Sequence, residues 1–256
     1  MFNFGGIAAL FSVSVMAGLI NSVAGGGSLL SFPALVMFGQ PAILANATNT
    51  AAIGPGALSS AIAYRQELKN SRALLWTLAV PCIVGGLLGA VLLVITPPEF
   101  FRKIVPFMVL FATLLFTYRN RLTRLGGESV ANAEKPGRFG YIWGFCFQLL
   151  VALYGGYFGA GIGILMLGSL SVMGLRDIHR MNGLKTLLST LINLIAFIFF
   201  AFKGLVVWPL ALWMAAGTVV GGYAGARLAK RIEQRYIRGF VIGSGFLISL
   251  WLLLKS

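Results

Sequence analysis

Charged side chains are scarce in this chain. They make up 10% of its 256 residues, against roughly 25% in an average soluble domain. Hydrophobic residues make up 58% of the chain, and the mean hydropathy is +0.90. This composition excludes an ordinary soluble globular domain and predicts a protein that resides in a lipid bilayer.

Acidic side chains are especially few, with only six in the chain. All of them lie in loops or at the ends of apolar runs, so no carboxylate is expected at membrane depth, where a proton or sodium relay would need one. The six are Glu67, Glu99, Glu128, Glu134, Asp177 and Glu233.

Histidine and cysteine are nearly absent, with one His and two Cys. His179 is by default an interfacial residue, but it precedes an apolar helix and is kept as a candidate for proton coupling. Cys82 and Cys146 lack metal-ligand or CxxC spacing, and Ser28 has no evident base. We therefore expect no metal site, no cofactor and no disulfide, and the chain is not expected to be an enzyme.

The 20 Lys and Arg residues give a net charge of +14, which by itself would suit a nucleic-acid partner. They lie mostly in short segments between apolar runs, however, and not in a soluble basic domain. We interpret them as signals of membrane topology and expect no nucleic-acid partner. No cleaved signal peptide is expected, because the first basic residue is Arg65, well after the first apolar run.

Eight apolar runs have about the length that spans a bilayer, roughly 20 residues. They are Phe4–Val23, Ile43–Tyr64, Leu74–Ile95, Ile104–Tyr118, Phe139–Phe158, Gly183–Phe202, Trp208–Leu228 and Phe240–Leu254. Two shorter arms, Ser28–Phe38 and Gly161–Met173, follow glycine-rich breaks and cannot cross alone. The predicted fold class is an all-α integral membrane protein.

An internal repeat organises the chain. The segment PCIVGGLLGAVL resembles GTVVGGYAGARL, which lies 136 positions further on, and the same offset aligns NATNT (46–50) with NGLKT (182–186). Matches in one register at several places predict two homologous halves, 1–118 and 140–256, joined by a basic linker, 119–139.

The basic loops predict that the two halves lie inverted in the membrane. The linker and the segment around Lys230 are rich in Arg and Lys and should be cytoplasmic, as should Arg65–Arg72. The turn at Lys203 corresponds to Arg65–Arg72 in the repeat, but it carries one basic residue and should face the other side of the membrane. Each half would then have three full spans plus a glycine-broken, re-entrant helix pair, with a site at the midplane between the halves.

The glycine breaks predict irregular backbone at membrane depth, which is tolerated where it is buried in protein or lines a cavity. Helix N-termini at such breaks present N–H donors and partial positive charge, so they suit an anion. Polar side chains of the aligned NATNT and NGLKT segments would complete the site. The predicted binding residues are Gly26, Gly27, Ser28, Asn46, Thr48, Asn49, Thr50, Gly161, Gly163, Asn182, Lys185 and Thr186.

Structural roles compete with this interpretation. Glycines in membrane helices commonly permit close packing, which we prefer for Gly85, Gly86, Gly89 and their counterparts 136 residues later. Each Asn or Thr is about as well explained by a bond to a neighbouring helix. Lys185 is either a snorkelling residue or a functional one, and its alignment with the polar cluster of the first half favours function.

The segments GLINSVAGGGSLLSFPALVMFGQPAILANATNT and GGYFGAGIGILMLGSLSVMGLRDIHRMNGLKT resemble the duplicated signature of the TauE/SafE family of membrane permeases. The resemblance covers nearly the full chain and implies an exporter of sulfite, sulfoacetate or a related sulfur-containing anion. Gly168 stands in the place of Pro33 in the second half, which leaves open whether the two breaks share one geometry. The positions matching the signature are Gly25–Gly27, Pro33, Ala45–Thr50, Gly159, Gly161, Gly163, Asn182 and Lys185.

Three functions fit these observations. The first is an alternating-access exporter of sulfite or a sulfonate in the bacterial inner membrane. The alternatives are an uncoupled anion channel and a non-transporting membrane scaffold. The expected partners are a small anionic substrate and the lipid bilayer, and a homodimer is left open.

Overall fold

The structure is a computed structural model that describes residues 4–23, 26–63, 72–128, 138–173, 175, 177–228 and 234–255. These residues form ten α-helices and no β-strand. The helices are α1 (Phe4–Val23), α2 (Ser28–Met37), α3 (Ala42–Ala63), α4 (Arg72–Ile95), α5 (Pro98–Glu128), α6 (Arg138–Tyr157), α7 (Ile162–Val172), α8 (Ile178–Phe202), α9 (Trp208–Leu228) and α10 (Gln234–Lys255). The all-helical fold predicted from the sequence is confirmed.

The helix boundaries follow the apolar runs closely. Helices α1 and α9 coincide with predicted runs, and the two short arms form α2 and α7. The largest difference is at α5, which continues to Glu128, inside the segment 119–139 that is predicted as a linker. An apolar run marks the part of a helix that suits lipid, whereas Arg and Leu beyond it are still good helix formers. Hydropathy alone could not find this extension.

Four of the described helices are long and apolar enough, by length and composition, to cross a membrane. Their qualifying segments are Gly5–Ser22, Leu74–Ile95, Pro98–Tyr118 and Arg180–Phe202. Large apolar side chains also face outward, including Trp76, Phe202 and Leu254. Such a surface suits lipid acyl chains better than water. The other predicted spans are shorter or less apolar within the described residues, and they stay predictions.

Each short helix folds back on the long helix before it. A β-carbon added at Gly6, near the start of α1, would contact the ring of Phe38, which follows α2. At the other end of this pair, Gly27 lies against the backbone of Ala17. Helix α2 therefore returns toward the start of α1. Contacts between Gly144 in α6 and Met173 after α7 give the second pair the same form.

Glycines allow close contact between helices that are distant in sequence. Gly85 and Gly89 in α4 lie against the backbone of Leu149 and Leu153 in α6. In the same way, Gly221 in α9 lies against the backbone of Val15 in α1. The interpretation of these glycines as packing residues is confirmed, and it explains why α1 pairs with α9 and α4 pairs with α6.

Helices α3 and α8 lie against each other at the centre of the bundle. They run in opposite directions, because Thr48, early in α3, bonds to Val207 beyond the end of α8, whereas Ile53, further along α3, lines the same cavity as Thr186, early in α8. Helix α3 also packs on α9, and α8 packs on α4. The polar segments NATNT and NGLKT are thereby both placed in the protein interior.

Candidate functional site

A small cavity lies where the two glycine breaks meet α8. Its volume is about 20 Å³, which is enough for about one water molecule. The wall is formed by the starts of α2 and α7, one side of α8, and single residues of α1 and α3. The lining residues are Asn21, Ser28, Ile53, Gly159, Ile162, Gly163, Lys185, Thr186, Ser189 and Asn193.

Lys185 is buried in this wall, with 2% of its surface exposed. Its ammonium donates a hydrogen bond to the Oδ1 atom of Asn182 at 3.2 Å. A snorkelling lysine would extend its ammonium to the membrane interface, whereas this side chain lies beside the cavity. A buried cation in the wall of a cavity favours an anionic occupant.

The two glycine breaks start their helices with different backbone geometry. Gly27, before α2, has φ −57° and ψ −35°, in the right-handed helical region. Gly161, before α7, has φ 76°, and the nearby Gly159 has φ 77°. This left-handed conformation strains any residue with a β-carbon and so favours glycine. The two breaks therefore do not share one backbone geometry, the point that was left open by Gly168 in the place of Pro33.

The starts of α2 and α7 give the cavity a positive character. Ser28 is the first residue of α2, and Gly163 lies in the first turn of α7. The N–H of Gly163 has no backbone acceptor among the described residues. Helix N-termini carry partial positive charge, and here two of them share the cavity wall with Lys185. This arrangement can bind an oxyanion through N–H donors and charge.

The predicted donors of α3 are bonded to other parts of the protein and do not line this cavity. Asn46 donates from Nδ2 to the carbonyl of Tyr157 at 2.9 Å, and the N–H of Val207 donates to Thr48 Oγ1 at 3.0 Å. Two further bonds are local to the α2–α3 region. Ser31 donates to Asn49 Oδ1 at 2.6 Å, and Thr50 donates to the carbonyl of Asn46 at 3.0 Å.

Three of the predicted glycines pack against neighbouring residues and are not among the lining residues. Gly26 lies against Phe116, Gly27 against Ala17, and Gly161 against Ala112. Asn182 is likewise absent from the wall and reaches the cavity through its bond to Lys185. The predicted residues that the structure brings together at the cavity are therefore Ser28, Gly163, Lys185 and Thr186.

The sequence interpretation missed three polar lining residues, Asn21, Ser189 and Asn193. A signal for two of them was present, because Ser189 and Asn193 follow Lys185 at four-residue spacing and so share one face of α8. Asn21 lies on α1, two residues before this helix ends at Val23, and the repeat gives no polar counterpart for it.

His179 lies in the first turn of α8, and its side chain is outside the part of the structure that can be described. Its proton-coupling role stays a prediction. Just before this helix, Asp177 accepts a hydrogen bond at Oδ1 from the N–H of Arg180 at 3.4 Å. Among the described residues, no group of three or more His, Cys, Asp or Glu side chains could hold a metal ion.

Comparison with known proteins gives the family. The family model described as "Sulfite exporter TauE/SafE" matches residues 10–252. The chain belongs to this family. It is a multi-pass helical membrane protein of a transporter family, as the apolar helices also indicate.

Several relatives match over nearly their full length. A "Probable membrane transporter protein" of Haemophilus influenzae is 27% identical over 95% of this chain and 92% of its own. "Probable membrane transporter protein YfcA" of Escherichia coli K12 is 29% identical over 98% and 90%, respectively. "Probable membrane transporter protein ORF9" of Sinorhizobium sp is 27% identical over 92% and 88%. No solved structure matches the chain significantly.

Proposed function

We propose that this protein transports a small sulfur-containing oxyanion, sulfite or an organosulfonate, across the bacterial inner membrane by alternating access. The observation that carries the proposal is that buried Lys185 and the N-terminal turns of α2 and α7 meet at one cavity. Membership of the TauE/SafE family supports the transporter class, and the family's description as a sulfite exporter supports the substrate class.

The chemistry of the cavity suits a tripodal oxyanion. A sulfite or sulfonate group has three oxygens that share negative charge, and each can accept from a different donor. The Lys185 ammonium supplies a charge-assisted bond worth about 1.5–3 kcal/mol, and the hydroxyl of Ser28 and the N–H of Gly163 each supply about 0.5–1.5 kcal/mol. The charge of the ammonium and the charge of the anion would offset each other inside the protein.

The proposed mechanism uses an inverted repeat. It is supported by the antiparallel course of α3 and α8, which correspond in the predicted repeat, and by the matching pairs α1–α9 and α6–α4. Homologous halves of opposite orientation can exchange two packings of similar energy, one open to each side of the membrane. The re-entrant pairs α1–α2 and α6–α7 then carry their helix N-termini to the shared site.

The small size of the cavity fits an occluded state of an alternating-access transporter. A volume of about 20 Å³ is too small for a hydrated sulfonate. Admission of the anion therefore needs helices to move, which is a step of alternating access. A channel would instead need a continuous wide path in its conducting state.

Counterflow in proteoliposomes tests the proposal. Vesicles loaded with unlabelled anion should accumulate the same labelled anion transiently, with saturable rates, and the panel is sulfite, sulfoacetate, taurine, thiosulfate and sulfate. A linear, non-saturating flux without counterflow would indicate a channel. Absence of flux for the whole panel from folded protein would contradict the proposed substrate class and favour a scaffold.

A further inference from the structure

A second and larger cavity lies at one end of the helix bundle. Its volume is about 610 Å³, within the range of small-molecule sites. We call it the vestibule. It is lined by the start of α3, the corner between α4 and α5, and the segment after α8, including Ala42, Leu44, Thr96, Glu99, Arg102 and Lys203. The predicted topology assigns this end to the non-cytoplasmic side.

The vestibule carries an excess of positive charge. Arg102 and Lys203 line it, with Glu99 as the one acidic residue among its described lining residues. Lys203 lies 5.8 Å from the ring of Phe199, and neither cation forms an ion pair with a carboxylate among the described residues. The start of α3 adds the partial positive charge of a helix N-terminus. These cations are therefore available to an anion.

The vestibule and the central cavity lie on the same helix. Ile53 in the cavity wall follows Leu44 in the vestibule wall by nine residues of α3, which is about 14 Å at roughly 1.5 Å per residue. Between them lie Asn46, Thr48, Asn49 and Thr50, all buried and all hydrogen-bonded. The NATNT segment thus lies between the two cavities along α3.

We propose that the vestibule is a second anion-binding site, formed by Arg102, Lys203 and the start of α3, which an organosulfonate occupies between the central cavity and the non-cytoplasmic solvent. Its apolar walls, such as Ile43 and Leu205, contact the carbon chain of the anion, while the two cations bind its sulfonate group. The role as a step in transport rests on the proposed function, whereas the binding itself does not.

Chemical modification of a single cysteine tests the site without requiring transport. The background is the Cys82→Ala, Cys146→Ser protein, and Ala42→Cys places the thiol in the vestibule wall. The rate of modification is compared for two methanethiosulfonates, the anionic sulfonatoethyl reagent and the cationic trimethylammonioethyl reagent. The double variant Arg102→Gln, Lys203→Gln should lower the anionic-to-cationic rate ratio by about fivefold or more. The two native cations attract the anionic reagent at short range, and the variant lacks them.

Lys103→Gln is the matched control. Lys103 is exposed and adjacent to Arg102, but it is not among the residues that line the vestibule. This variant should leave the rate ratio near that of the parent. An unchanged ratio in the Arg102→Gln, Lys203→Gln protein, or an equal fall in Lys103→Gln, would overturn the proposal.

Protection from a neutral reagent, methyl methanethiosulfonate, measures occupancy directly. Ethanesulfonate should slow the modification of the Ala42→Cys parent and of its Lys185→Met variant equally, and it should not protect the Arg102→Gln, Lys203→Gln protein. Protection that follows the phosphatidylglycerol content of the vesicles, with no effect of ethanesulfonate, would identify a lipid headgroup and overturn the proposal.

Protection by ethanesulfonate without counterflow of any anion in the panel would support the vestibule site and contradict the proposed function. Saturable counterflow without protection by ethanesulfonate would support the proposed function and contradict the vestibule site.

Discussion

The Nζ atom of Lys185 donates a hydrogen bond to the Oδ1 atom of Asn182, 3.2 Å away and one turn earlier on α8. This bond orients the ammonium, and its acceptor is a neutral amide oxygen. Lys185→Met keeps most of the apolar length but removes the charge, so the affinity for a sulfonate should fall about tenfold or more, equivalent to roughly 1.4 kcal/mol. Titration of purified protein by calorimetry measures it.

Lys103→Met is the control for this variant, because it removes an exposed lysine outside the cavity. It should bind as the parent does. If folded Lys185→Met protein binds and transports a sulfonate with parental affinity, the lysine has a structural role and the assignment of the site is wrong.

Asn182→Asp should weaken anion binding by pairing Lys185 with a carboxylate. The substitution keeps the side-chain shape and places a negative charge at the position of Oδ1, where it competes with the substrate for the ammonium. We expect a loss of affinity of about tenfold or more, against about threefold for Asn182→Ala, which removes one bond of the ammonium and adds no charge. Equal affinities of Asn182→Asp and Asn182→Ala would show that the ammonium does not meet the anion.

Thr48→Val should affect stability more than affinity. The hydroxyl of Thr48 accepts a bond from the N–H of Val207, and the isosteric valine leaves this partly buried N–H unpaired. A cost of about 1–3 kcal/mol is expected, seen as a lower midpoint of thermal unfolding in detergent. Thr190→Val is a suitable comparison, since its hydroxyl bonds only within α8, to the carbonyl of Thr186. A large loss of anion affinity with unchanged stability would place Thr48 in the binding site instead.

Most of the helical fold could be predicted from the sequence, because each element has a local signal. The end of α1 and the start of α2 follow from the consecutive glycines, and Trp208–Leu228 follows from its apolar length. The repeat alignment favoured a functional role for Lys185 over snorkelling, and the structure buries this residue. These signals lie within a few turns of the residues that they describe.

The roles of the α3 donors could not be predicted in this way. The bond from Asn46 to Tyr157 joins residues 111 positions apart, and the bond from Val207 to Thr48 joins residues 159 apart. Which polar groups face the cavity depends on how α3 and α8 are rotated against their neighbours. A sequence repeat fixes which positions correspond, but it does not fix that rotation, and the contribution of Asn21 from α1 was missed for the same reason.

Equivalent positions of the predicted repeat should lie on opposite sides of the membrane. Lys103 in α5 and Gly239 in α10 are 136 positions apart, and both are exposed. In a cysteine-free background, Lys103→Cys should react with a membrane-impermeant maleimide added from the periplasmic side, and Gly239→Cys only after permeabilisation. Reaction of both from the same side would contradict the inverted arrangement while leaving the chain a helical membrane protein.

Gly221→Ala should destabilise the protein through the contact between α9 and α1. A β-carbon at this position would meet the backbone of Val15, which cannot move without shifting α1. Overpacking of this kind costs about 1–3 kcal/mol, and the midpoint of thermal unfolding in detergent should fall accordingly.

Gly243→Ala in α10 is the matched control, because a β-carbon there would meet no atom within 4 Å, and alanine in an open helical position is favoured over glycine by roughly 0.5–1 kcal/mol. The control should be as stable as the parent or slightly more stable. If both variants unfold at the parental temperature, the close approach of α1 and α9 does not contribute to stability, and the packing role of this glycine is wrong.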